Sequence, residues 1–210
     1  MKRSRRFGSR LAVLLSSLGL MLLAAAQPAA ASSTKFGADV VANVQPTNGS
    51  PAHTCDHELT GHFPGATYKC TWIEAAAYGY NDEVAHAQAE KDGTIVKIKL
   101  ISCVKGSFTL YIAHFDQTTH KGKVVTQGPV INYVADCPGP TTFNVQKFSV
   151  DIQVHKGDYL ATQSAKAGFV RCTSGGEHTA LYRPPLAVGN PATSQAGSSG
   201  CYLLLEAVYG

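Results

Sequence analysis

A chain of 210 residues with 18 basic and 14 acidic side chains has a formal charge of +4, but the excess is local. Lys2, Arg3, Arg5, Arg6 and Arg10 stand in the first 31 residues, which contain no acid, so residues 32–210 carry 13 basic and 14 acidic groups. That near-neutral remainder offers no basic stripe in the sequence for nucleic acid or an anionic membrane surface, and it is long enough for one domain with a sizeable core.

The N-terminal segment has three zones. The basic residues come first, an apolar run from Leu11 to Ala26 follows, and Pro28 with Ala29-Ala30-Ala31 closes it. A charged start, a short apolar middle and a small-residue end predict a cleavable export signal over residues 1–31. A spanning helix needs about 20 apolar residues; this run is shorter and is interrupted by Ser16, Ser17 and Gly19. Ser4-Arg5-Arg6-Phe7 approaches a twin-arginine export motif but lacks one residue between the arginine pair and Phe7. The cysteines favour the general secretory route, because twin-arginine cargo folds in a reducing cytosol.

Beyond residue 31, the dominant pattern is alternation with period two, the mark of half-buried strands. Short candidates lie at 38–44 and 67–73. Residues 82–91 suit either a short helix or a strand; the alternation of Val84 to Ala89 into Asp92-Gly93 favours a strand and a hairpin turn. Clear strands follow at 94–101 and 107–113, with one or two more covering Val124-Val125 and Val130–Val134. Phe148, Val150, Ile152 and Val154 alternate with polar residues most cleanly. Shorter candidates at 159–163, 168–172 and 178–183 precede a continuous apolar run, Tyr202 to Tyr209, which reads as a central strand. Many short strands separated by Gly-, Pro- and Asp-containing turns predict an all-β, disulfide-stabilised β-sandwich or jelly-roll-like single domain over residues 32–210.

All six cysteines, Cys55, Cys70, Cys103, Cys137, Cys172 and Cys201, follow the export signal. An even set in an exported domain reads as a disulfide framework. Cys55 and Cys70 flank a loop, and the other four fall at or beside strand ends, so 55–70, 103–137 and 172–201 are the expected bridges among 15 connectivities. The predicted location is secreted and extracellular.

Four stretches carry a resemblance: Asp92-Gly93-Thr94-Ile95, Phe108 to Ala113, Val150 to Leu160 with its Lys156-Gly157-Asp158 turn, and Leu203 to Tyr209. Their order over about residues 92–210 resembles uncharacterised secreted β-sandwich proteins of actinobacterial type. The resemblance implies a fold and brings no activity with it.

Candidate chemistry is sparse. His57-Glu58 begins a zinc-protease pattern, but Gly61 occupies the place of the second histidine and His62 comes one residue late. Five helical residues turn about 500°, which leaves the two rings about 140° apart. A looser zinc site from His53, Asp56, His57 and His62 uses suitable ligands, against the simpler reading of a polar loop tethered by Cys55; no cofactor is otherwise expected. Asn81-Asp82-Glu83 is too small a set for Ca²⁺, and no nucleophile elbow or phosphate loop is present. Tyr78-Gly79-Tyr80, with Trp72, is the best candidate for a carbohydrate platform, since period two sets both tyrosines on one side of a strand. The sequence therefore favours a non-enzymatic protein binding an extracellular glycan or protein surface. A structural matrix protein and a secreted hydrolase, metal-dependent or not, are the alternatives.

Overall fold

Alternation decides which face each strand buries. In β6 (Gln146–Val154), Ile152 and Val154 are buried and Phe148 and Val150 half-buried, while Lys147, Ser149, Asp151 and Gln153 are exposed. The computed structural model describes residues 34–42, 44–47, 55, 69–80, 85–173 and 175–210. Its other strands are β1 (Lys35–Gly37), β2 (Cys70–Glu74), β3 (Gly93–Leu100), β4 (Gly106–Asp116), β5 (Lys121–Tyr133), β7 (Tyr159–Ser164) and β8 (Val170–Cys172). The chain ends with β9 (Thr179–Tyr182), β10 (Thr193–Ser194), β11 (Gly197–Ser199), β12 (Cys201–Leu203) and β13 (Leu205–Tyr209).

These strands form a four-stranded sheet in the order β1-β13-β3-β6 and a seven-stranded sheet in the order β10-β5-β4-β7-β2-β9-β11, with β12 and β8 as a separate pair. Ile95, Ile98, Leu205 and Ala207 of the first share one buried cluster with Trp72, Phe108, Leu110, Ile112 and Leu160 of the second. That shared interior makes the all-β chain sandwich-like, as expected. Each fully buried aliphatic side chain in such a core contributes about 1.5–3 kcal/mol. The outer face of the larger sheet is also apolar: Ile73, Tyr111, Ala113, Tyr159 and Tyr182 are sealed by Leu186, whose N–H donates to Thr71 Oγ1 at 2.9 Å.

Three bridges join Cys55–Cys70, Cys103–Cys137 and Cys172–Cys201, and no described cysteine is free. The middle bridge ties the β3–β4 connection to the β5–β6 connection, two of the places where the chain changes sheets. Three disulfides point to an oxidising environment for the folded chain. Among the described residues no helix is long and apolar enough to cross a membrane.

Four local expectations are corrected. Residues 85–92 form no strand; Gln88 makes one isolated bridge with Tyr159. The Ala89 N–H donates to Asp158 O and the Ala89 carbonyl accepts from Gly157 N, so this stretch is pinned to the Lys156-Gly157-Asp158 turn. Asp92-Gly93 is accordingly no hairpin turn: Asp92 Oδ1 accepts the Lys156 N–H and Gly93 pairs with Val154. Residues 38–42 and 44 are irregular, because N–H groups there find other partners: Asp39 donates to Tyr78 O and Val40 to Glu206 Oε2. The final run is two strands, interrupted where the Leu204 N–H turns to Phe169 O; its second half, β13, does lie centrally between β1 and β3.

Candidate functional site

The clearest cleft is built around a hairpin. β4 and β5 are joined by Gln117-Thr118-Thr119-His120, with Asp116 and Lys121 paired at its base. Asp116 Oδ1 accepts the N–H groups of Thr118 (2.8 Å) and Thr119 (3.1 Å), which closes the loop as an Asx turn. These bonds, with the Thr119 hydroxyl, hold the Asp116 carboxyl below its ordinary range. His120 completes the turn at φ 54°, a left-handed conformation that histidine tolerates better than most side chains.

That turn presents His120 to a cleft of about 240 Å³ whose walls include Phe115, Gln117, Glu177, Gln195 and Ser198. Gln195 Nε2 lies 3.0 Å from His120 Nδ1, and the Gln195 N–H donates to His120 O at 3.0 Å. Glu177 Oε2 is 3.6 Å from the same Nδ1. Gln117 Nε2 donates to Ala75 O (3.1 Å) and the Tyr159 hydroxyl (3.2 Å), which fixes its amide at the cleft wall. Phe115 stands edge-on to both His120 and Tyr159. Among the described residues Glu177 is the only carboxylate lining the cleft, and no Lys or Arg lines it.

The residues singled out from sequence lie elsewhere. Trp72 is 2% exposed in the core, so its indole offers no face to an external ligand. Tyr78 and Tyr80 sit in the irregular stretch after β2, half-buried against Ala38, Val40 and Leu204. Tyr78 meets Tyr202 edge-on at 5.5 Å, and the Arg171 guanidinium lies 5.0 Å over its ring; they do not form a flat pair on a strand. His53, Asp56, His57 and His62 lie outside the described residues, as do Asn81, Asp82 and Glu83. Among the described residues no group of three or more His, Cys, Asp or Glu is placed to hold a metal ion.

The cleft residues come from positions 75–76, 115–120, 177–180 and 195–198, on β4, its hairpin, β9, β11 and the segments beside β2, β9 and β11. The readable signal was Asp116 with threonines two and three residues on, an Asx-turn pattern between two strands. Comparison with protein-family models, curated proteins and solved structures finds no match to this chain.

Proposed function

We propose that the chain is an exported, non-enzymatic binding protein whose cleft at His120 takes a neutral carbohydrate ring. The export reading is supported by the three-zone pattern of residues 1–31 and by three disulfides. The observation that carries the sugar reading is the cleft's lining among the described residues: two primary amides, one carboxylate, one imidazole, two hydroxyls and one aromatic ring around about 240 Å³. Amides and carboxylates match vicinal hydroxyls, which both donate and accept, and an aromatic wall matches the apolar face of a pyranose. Ligand clefts for drug-sized molecules run to about 300–1,000 Å³, so this smaller one suits a single ring at a chain end. Glu177, with no cation beside it in the lining, disfavours acidic sugars.

A glycosidase would require two carboxyl groups about 5–9.5 Å apart across the bond. Among the described residues one carboxylate lines this cleft, which supports binding over hydrolysis.

The test is a titration of ¹⁵N-labelled protein with neutral hexoses and N-acetylhexosamines to tens of millimolar. Shifts in the side-chain amides of Gln117 and Gln195 are expected with at least one sugar. Unmoved amide signals across the whole panel would refute the assignment.

A further inference from the structure

Three lysines far apart in the sequence converge at one end of the larger sheet. Lys69 immediately precedes β2, Lys105 immediately precedes β4, and Lys166 lies two residues beyond β7. In that sheet β4, β7 and β2 are consecutive antiparallel neighbours, so the start of β4, the end of β7 and the start of β2 share one edge. Neighbouring strands are about 4.8 Å apart, so the three lysines spring from a line roughly 10 Å long. They line one groove of about 360 Å³, together with Ser107, Thr109 and Gln163.

All three lysines are exposed, and none is in an ion pair among the described residues. Among the described residues no Asp or Glu lines the groove. Like charges at this spacing repel, and no ion pair among the described residues offsets that repulsion. We infer that this end of the sandwich binds a polyanionic glycan, a saccharide chain carrying carboxylate, sulfate or phosphodiester charges. The lysines meet the charges as mobile point cations; Ser107, Thr109 and Gln163 meet the sugar hydroxyls.

The groove favours a saccharide over a single-stranded nucleic acid. Binding of the latter uses exposed aromatic faces on which bases stack. Among the described residues the rings bordering the groove are Phe108 and Tyr133, 2% and 4% exposed. The site is also separate from the His120 cleft: Thr109 and Phe115 lie six residues apart on β4, which is about 20 Å of strand. Its ligand charge is the opposite of what Glu177 admits, so it stands whether or not the cleft binds sugar.

The experiment is calorimetry of the intact, disulfide-bonded protein at about 50 mM salt. The probes are polygalacturonate (carboxylate), dextran sulfate (sulfate), poly(glycerol phosphate) (phosphodiester), uncharged dextran and single-stranded DNA. Binding is expected to at least one of the three anionic polymers and not to dextran, and it identifies which charge is preferred. Raising salt to about 200 mM weakens it, as screening and counterion release require. Lys69→Gln/Lys105→Gln/Lys166→Gln lowers the affinity at least tenfold with an unchanged melting temperature, and Lys105→Gln alone lowers it severalfold. Glu177→Gln leaves it unchanged. No binding to any anionic glycan, affinity within twofold in the triple variant, or DNA binding as tight as the best glycan would each overturn the inference.

Discussion

Glu74 and Thr179 stand directly opposite one another in the β2–β9 ladder, both buried and polar, and only one of them is satisfied. Thr179 Oγ1 donates to Cys201 O. Among the described residues neither Glu74 oxygen has a hydrogen-bond partner, and the Ala38 N–H that faces it is given to Leu205 O. Complete burial therefore drives the Glu74 carboxyl well above its usual range, outweighing the small opposing pull of Ala38. In the folded protein Glu74 is a neutral acid to well above the pH at which the unfolded chain ionises it.

The sign of the pH effect follows. Between the unfolded pKa, near 4.5, and the raised folded value, the folded state binds one more proton than the unfolded state, so stability falls as pH rises. Below that window the penalty vanishes. Glu74→Gln keeps the shape and removes the titration. Its melting temperature should match the parent near pH 4 and exceed it at pH 7–8, by the several degrees that about 1–2 kcal/mol gives a domain of this size. Equal melting temperatures at both pH values would place a partner on Glu74.

Gly37 is held where no side chain fits. Its φ is 92°, its N–H donates to His86 O at 2.7 Å, and an added Cβ would collide with Leu205 O and come within 2.9 Å of Leu160 Cδ1. The conformation alone costs an L-residue about 1–2 kcal/mol, and overpacking adds about 1–3. Gly37→Ala should lower the urea-unfolding free energy by about 3 kcal/mol, whereas Gly157→Ala, at φ 91° with open space around it, should lose only about 1–2. Equal losses at the two positions would show that packing around Gly37 is looser than described.

Cys172 and Cys201 are register partners in the β8–β12 pair and are joined to each other. Two strands of three residues are too short to be stable alone, so the bridge and the neighbouring core hold them. Closing a loop with a separation of 29 residues is worth about 3–4 kcal/mol by chain entropy. Cys172→Ala/Cys201→Ala should lose about 2–4 kcal/mol in urea unfolding. A non-reducing peptide map should return 55–70, 103–137 and 172–201, and any other pairing contradicts the fold.

Much of this was legible in the sequence. The Phe148–Val154 alternation located β6 because one of its faces is buried, and the cysteine positions at strand ends implied their own pairing. Residues 38–44 misled because their alternation belongs to a segment packed over Glu206, whose carboxylate takes Val40 N–H and the ammonium groups of Lys99 and Lys35. Tyr78 and Tyr80 looked like a platform because period two was read into a stretch that is not a strand. The two proposed sites were not legible for one reason: each is made by sheet order. No sequence pattern brings Lys69, Lys105 and Lys166 to neighbouring strand ends, or Glu177 within 3.6 Å of His120.

The central claim is that the His120 cleft binds a neutral glycan, and the most direct measurement is a glycan array read in parallel with two proteins. One is the chain of residues 32–210, and the other is the same chain with Gln117→Ala/Gln195→Ala, which removes the two fixed amides from the cleft wall. The account predicts at least one neutral saccharide retained by the parent and reduced tenfold or more in the variant, with both proteins melting within a few degrees of each other. No neutral saccharide retained by the parent, or equal retention by the two proteins, would contradict it.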